Sequence, residues 1–375
     1  MKSLGIGLIG TGFMGKAHAL AFGAAKAVMG DVPDSHLAVL CDTPADKATQ
    51  MADQFGFAHV TDDWKSLVTN PDVDIVSITT PNTLHFDMAI TAVKAGKHVY
   101  CEKPLALTLD QAREMRDAAR AARVKTMVGY NYIKNPAFTH ACRLVQSGEI
   151  GDIVHFRGWV DEDYQADPAL PWTWRAKLSD AGLGALGDLG CHLVSMAYGL
   201  VGPIESLIAD MHTVHATRPL ADGTGCANVE NEDIASALVR FANGVQGSLS
   251  TSRSAWGRKN RLAWEVHGTK GMICFDQERM NELQIYCNTG DTSQQGFTTI
   301  LTGPEHPPYG QFCPAPGHQL GFNDLKVIEA TALLRAIRDN HAAYPDFDHA
   351  YEFERTIHAI AQSARDGLRV SLSDL

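Results

Sequence analysis

A two-domain chain is predicted, with an α/β domain on a doubly wound parallel sheet over 1–130 and an α+β domain with a mostly antiparallel sheet over 131–375. Three observations predict it. Short β-branched runs alternate with helical stretches of about 10 to 15 residues through the first third, the pattern of right-handed βαβ crossovers. A glycine-rich turn directly follows the first run and opens the first helix. After Asn131 the texture changes to longer alternating runs separated by Gly-rich or charged turns, the period of half-buried strands.

In order, Leu4 to Ile9 reads as a strand, entered from Met1-Lys2-Ser3 without signal-peptide anatomy. A helix to Met29, a strand from Leu37 to Cys41, a helix from Ala45 to Phe55 and a short strand at His59 follow. Ile75 to Thr79, a helix from Leu84 to Ala95, His98 to Cys101, a helix from Leu109 to Ala122 and Thr126 to Gly129 complete the series. Beyond it come a helix from Pro136 to Ser147 and strands at Ile153–Trp159, Ile204–His212, Ile234–Phe241, Gly244–Arg253 and Leu262–Thr269. Thr289 to Gln319, rich in Gly, Pro and Gln, reads as an extended loop before two helices, Asp324 to Asp339 and His349 to Asp366.

Composition narrows the function classes. With 375 residues, each of two domains is long enough to bury a core. A net charge of -11 opposes nucleic acid as a partner, although one local base still binds an anionic small molecule. No apolar run reaches the roughly 18 residues of a membrane span. A cytoplasmic address is the default. The eight cysteines lack paired metal-type spacing and read as buried or free thiols, Cys101 among them as a small strand residue.

Gly10-Thr11-Gly12-Phe13-Met14-Gly15 fits G-x-G-x-x-G in the setting that gives the pattern meaning, between strand and helix. Gly10 permits the tight turn, Gly12 lets backbone approach a pyrophosphate, and Gly15 brings helix close to strand. The helix N-terminus adds N–H groups and partial positive charge for the phosphates. Asp42 ends the second strand, where the ribose-binding acid belongs, somewhat further past Gly15 than the usual spacing of about 20. A loop insertion, Gly30 to Ser35, accounts for the excess. A carboxylate there repels a 2′-phosphate and no Arg follows closely, so NAD is favoured over NADP. Thr80-Pro81-Asn82, with His85 beyond, lies at another strand's carboxyl end, the ligand-binding edge of open α/β sheets.

Glu102-Lys103-Pro104 reaches the same edge, where Lys103 is placed to sit beside the nicotinamide and hydrogen-bond a reacting oxygen. Its companion is Gly187-Asp188-Leu189-Gly190-Cys191-His192. In a helix starting near Asp188, Asp188, His192 and Ser195 share one face. Leu189, Leu193, Met196 and Leu200 form the buried stripe behind it. Three glycines, Gly184, Gly187 and Gly190, leave room for a bulky ring to approach.

Taken together, the glycine turn, Thr80-Pro81-Asn82 with His85, Glu102-Lys103-Pro104 and Asp188-x-Gly190-x-His192 resemble the glucose-fructose oxidoreductase / inositol dehydrogenase / MocA family over nearly the whole chain. The resemblance implies an N-terminal Rossmann domain and a C-terminal domain whose large open sheet makes a homodimer or homotetramer contact. It implies Lys103, Asp188 and His192 as the catalytic set. The cofactor contacts are then Gly10 to Gly15, Asp42, Thr80 to Asn82, His85 and Glu102. Within the family, Tyr132, Trp172-Thr173-Trp174-Arg175 and the turn with His318 are most like anhydrosugar, glucoside and inositol dehydrogenases, which makes Tyr132, Trp174, Arg175 and His318 candidate substrate contacts. Two departures stand out. Ser195 replaces an acid common three residues after the His, and Asn131-Tyr132-Ile133-Lys134 lacks an Arg that would clamp an anionic group, which favours a neutral polyol.

The chemistry that follows is hydride exchange between nicotinamide and a secondary hydroxyl of a sugar, anhydrosugar or cyclitol. His192 is suited to be the base and Lys103 to stabilise the alkoxide. Alternatives on the same fold are keto-sugar reduction and glycoside cleavage with recycled NAD; a sugar-sensing regulator would not need both Lys103 and His192. No metal is expected, because no Cys/His group has ligand spacing.

Overall fold

The computed structural model describes residues 3–375; Met1 and Lys2, the start of the run expected to enter the first strand, lie outside the described residues. Two compact units emerge. One is the chain up to Lys134 together with Leu320–Tyr351, and the other is Asn135–Gln319 together with Glu352–Leu375.

The first unit runs β1 (Leu4–Ile9), α1 (Phe13–Met29), β2 (Ser35–Cys41), α2 (Ala45–Phe55), β3 (His59–Thr61), α3 (Trp64–Thr69), β4 (Ile75–Ile78), α4 (His85–Lys94), β5 (His98–Cys101), α5 (Leu109–Ala122) and β6 (Thr126–Val128). Its strands pair in the order β3-β2-β1-β4-β5-β6, every pair parallel, as a doubly wound sheet requires. Ile6, Leu8, Ile75, Val76, Val99 and Met127 are buried, because helices cover both faces and the strands are apolar throughout. α3 was not expected. At six residues it is too short to show a period, and its start is fixed by the Asp63 carboxylate accepting from the Lys65 amide.

Helix Phe322–Arg338, grouped with the second domain by the sequence reading, packs in this first unit along α1. Its apolar stripe of Leu325, Ala330, Leu333 and Leu334 is buried there. Local periodicity shows that a helix has a face to bury but not which distant element receives it.

The second unit is built on a nine-stranded sheet in the order Thr298–Leu301, Glu282–Cys287, Gly271–Asp276, Arg261–Gly268, Ile153–Asp161, Gln246–Ser252, Ile234–Phe241, Ile204–His212 and Val370–Ser371. All neighbours are antiparallel except Gln246–Ser252 beside Ile153–Asp161. Phe156, Gly158 and Val160 are buried while Arg157 is exposed, so one face carries the core. Strands Gly271–Asp276, Glu282–Cys287 and Thr298–Leu301 were not expected, and the last corrects the reading of 289–319 as a loop. Thr298–Leu301 is an edge strand with little burial, so it has no apolar alternation to betray it. Among the described residues no helix is long and apolar enough to cross a membrane, and no group of three His, Cys, Asp or Glu side chains is placed to hold a metal ion.

Candidate active site

Strand order in the first unit reverses between β1 and β4, and the carboxyl ends flanking that point form the ligand-binding edge of such sheets. The Gly10 to Gly15 turn leaves β1, Asp42 ends the path of β2, Thr79 to Asn82 leave β4, and Glu102-Lys103-Pro104 leave β5. The structure thus gathers the sequence-predicted cofactor residues on one edge.

Their local geometry suits a dinucleotide. At Gly15 an added Cβ would overlap the Gly10 carbonyl, so only glycine lets α1 start this close to β1. At Gly12 an added Cβ would meet nothing within 4 Å; the turn is open where a pyrophosphate would lie. No side chain caps the N-terminus of α1 and its first turn holds no acid, which leaves its amides to an anion. Oδ2 of Asp42 accepts from the Thr11 amide at 2.8 Å and from the Thr11 hydroxyl, and Oδ1 accepts from the Thr43 amide at 2.6 Å. The carboxylate is therefore held beside the turn. Phe13 is exposed and its ring lies 5.4 Å from that of Phe322, while Met14 is half-buried.

Two residues read as cofactor contacts use their polar atoms within the unit instead. His85 is buried, with Nδ1 at 2.9 Å from the Pro104 carbonyl and Nε2 at 3.0 Å from the Thr80 carbonyl. It ties the β4 and β5 loops together. Burial pushes its pKa down, which outweighs the raising effect of the carbonyls. Glu102 is 4% exposed and its carboxylate meets His18 and Lys326 rather than the open edge. Lys103 is half-buried beside it. Tyr132, also in this unit, is buried in the turn Asn131–Lys134, edge-on to Phe322 at 6.3 Å. Burial brings the neighbouring Lys134 ammonium down to about 8.

Asp188 and His192 lie in the second unit. The helix expected to begin near Asp188 instead opens with a wide π-helical turn, Leu186–Gly190, and continues as the α-helix Cys191–Leu200. Such turns are rare and recur at functional sites, because the widened spiral re-aims side chains. Glu232 secures its start, with Oε1 accepting from the Leu186 amide at 2.8 Å and the carbonyl accepting from the Ala185 amide at 2.9 Å. Leu189, Leu193, Met196 and Leu200 are buried as expected. Ser195 does not join Asp188 and His192 at a polar face. It is buried and its hydroxyl donates to the His192 carbonyl at 2.7 Å. Nor do Gly184 and Gly190 leave room for a ring. The space at Gly184 is taken by the Glu232 carbonyl and that at Gly190 by the Leu186 side chain. His192 is 6% exposed.

Tyr164 was missed from the sequence. Its hydroxyl donates to Asp188 Oδ2 at 2.8 Å, and burial together with Asp188 pushes its pKa well up. Nothing in Glu162-Asp163-Tyr164 signals this, because the partner lies on a distant turn. Arg175 stacks its guanidinium over the Trp174 ring at 4.6 Å, and the Arg175 carbonyl accepts from Asn231 at 2.8 Å. His318 is exposed, with Nδ1 at 3.2 Å from the Ala315 carbonyl.

A parallel sheet with reversed strand order, an open glycine turn and a held acid beside it define a dinucleotide-dependent oxidoreductase. Residues 4–130 match the model described as the oxidoreductase family, NAD-binding Rossmann fold, and residues 138–274 match the GFO/IDH/MocA C-terminal domain. The chain belongs to the GFO/IDH/MocA family of NAD-dependent oxidoreductases. It is 39% identical to levoglucosan dehydrogenase of Pseudarthrobacter phenanthrenivorans over 97% of both chains. It is 32% identical to 1,5-anhydro-D-fructose reductase of Ensifer adhaerens over 71% of this chain and 74% of that one. A solved levoglucosan dehydrogenase in complex with NADH and levoglucosan is similar, with a TM-score of 0.96 and 38% identity over 99% of this chain and 100% of that one.

Proposed function

We propose that the chain exchanges a hydride between NAD and a secondary hydroxyl of a sugar, anhydrosugar or cyclitol, with Lys103, Asp188 and His192 as its catalytic set. The observation that carries this reading is the shared sheet edge of the first unit, where Lys103 leaves β5 in the same row of strand ends as the glycine turn and Asp42. The anhydrosugar relatives support the substrate class.

When bound, NAD supplies the hydride acceptor, held by Gly10 to Gly15, Asp42 and the Thr80-Pro81-Asn82 loop. His192 takes the hydroxyl proton, since an imidazole titrates near working pH. Asp188, held by Tyr164, orients that ring or binds the substrate hydroxyl. Lys103 stabilises the oxygen as negative charge develops on it. Tyr132, Trp174, Arg175 and His318 contact a neutral polyol. The reductase among the relatives supports the reverse direction with the same groups.

The reading includes a homodimer or homotetramer formed through the outer face of the large sheet. That face carries exposed Leu238 and Ile208 and a cavity of about 410 Å³ lined in part by Trp159, Glu265 and Phe297. A cytoplasmic location completes it.

Steady-state kinetics test the assignment. Lys103→Ala and His192→Ala each lower turnover at least about 100-fold while NAD still binds. Near-normal turnover in both removes the catalytic set. A panel of anhydrosugars, glucosides, inositols and free sugars, followed by NADH absorbance, identifies the substrate.

A further inference from the structure

Lys326 stands on helix Phe322–Arg338, and no role described above uses it. It is completely buried. Its ammonium lies 2.5 Å from Glu102 Oε1 and 2.9 Å from Glu329 Oε2. Glu102 Oε1 also meets His18 Nε2 at 2.8 Å, and His18 Nδ1 meets the Ser77 hydroxyl at 2.8 Å. The His18 ring stacks on Tyr100 at 4.1 Å, and the Tyr100 hydroxyl donates to Glu329.

A buried ion cluster is a poor source of net stability, because desolvation offsets most of the attraction and apolar side chains of equal volume serve as well. A cluster drawn from α1, β5 and a helix more than two hundred residues further along the chain answers a demand for geometry. That demand is visible at Glu102. Its second oxygen, Oε2, accepts from the Lys103 amide at 3.3 Å. Its carboxyl group lies against Gly129, where any Cβ would overlap it. Burial pushes the Glu102 carboxyl up, but the Lys326 ammonium and the His18 ring outweigh this and hold it well below the usual range. An ionised anchor thus grips the backbone from which the Lys103 side chain departs.

We propose that Lys326 is a positioning residue for Lys103, acting through Glu102 to fix the Glu102-Lys103-Pro104 loop so that the Lys103 ammonium is aimed at the reacting oxygen. The inference rests on the catalytic reading of Lys103. Misplacing a catalytic group by about 1 Å lowers turnover by about 100-fold, so the effect falls on kcat.

The test is a double-variant cycle. Lys326→Met keeps an unbranched side chain one atom shorter and removes its charge. It lowers kcat by about 10- to 100-fold and leaves KM for NAD within about threefold, because the phosphate-binding turn is on another strand. In a Lys103→Ala background the same change has no further effect on kcat. Should Lys326→Met fail to fold, the triple change Glu102→Gln, Glu329→Gln and Lys326→Met, which neutralises both buried carboxylates that Lys326 pairs with, is read in both backgrounds instead. Normal kcat in a folded variant, or equal fold-losses with and without Lys103, overturns the role of Lys326 alone. Normal turnover in Lys103→Ala by itself removes the catalytic reading, and this proposal with it.

Discussion

The Tyr164 hydroxyl donates a 2.8 Å hydrogen bond to Oδ2 of Asp188. Tyr164 follows the strand Ile153–Asp161 and Asp188 sits in the π-helical turn, so the bond joins sheet to helix inside the second unit. Tyr164 is half-buried. A hydrogen bond to a charged group is worth about 1.5 to 3 kcal/mol. Tyr164→Phe is therefore expected to lower kcat by about 10- to 100-fold and to displace the pH profile of kcat/KM, with NAD affinity unchanged. A simple loss of packing would lower thermal stability without moving the pH profile, and the two measurements together separate the cases.

The two outer reaches of the glycine turn respond differently to the same substitution. Gly12→Ala meets no neighbouring atom, so the melting temperature stays within about 2 °C, less than 1 kcal/mol produces in a domain of this size. Its methyl projects where the pyrophosphate approaches, and NAD affinity drops at least about tenfold. Gly15→Ala forces its methyl into the Gly10 carbonyl and lowers stability by about 1 to 3 kcal/mol or more. Thermal unfolding beside NAD titration reads both, and equal behaviour of the two variants would contradict the geometry.

Thr11 and Thr43 hold the Asp42 carboxylate in a fixed position, from which, on the proposed reading, it repels a 2′-phosphate. Asp42→Ser is expected to shift the ratio of kcat/KM for NAD over NADP toward NADP by at least about tenfold, a change of about 1.4 kcal/mol in relative transition-state binding. An unaltered ratio removes Asp42 from the ribose site.

Stability is expected to decline as pH falls from about 6.5 toward 4. Burial lowers His18 from its ordinary 6.5 to about 4, and this prevails over the raising effect of its hydrogen bond to the Glu102 carboxylate. Between those values the unfolded chain binds a proton that the folded chain does not, so unfolding gains in favour as pH drops. At full extent the effect is of the order of 3 kcal/mol. Urea unfolding at pH 7, 5.5 and 4.5 measures it, and a His18→Gln variant should show a shallower slope across this window. Parallel slopes for the two proteins would exclude His18 as a source.

Much of the first unit was legible because its signals are local. Strand and helix periods, the glycine turn and the acid after β2 lie within single segments, and the parallel order follows from right-handed crossovers. The motif at Asp188 and His192 was legible as a pattern, yet its backbone was not. The π-helical turn depends on Glu232 holding its first amides, and Glu232 comes from a separate part of the chain. His85 and Glu102 were read as facing outward to a cofactor, whereas their polar atoms meet partners inside the unit, because sequence carries no information on which way a polar side chain turns.

By itself the sequence determined the fold of the nucleotide-binding sheet and the cofactor class. Tertiary structure decided which side chains hold which partners: Lys326 on Glu102, His85 across two loops, and Tyr164 on Asp188. The reason is physical. Backbone propensity and hydrophobic period act over a few residues, whereas a desolvated polar atom takes whatever partner the packed chain brings within hydrogen-bond reach, however distant in sequence.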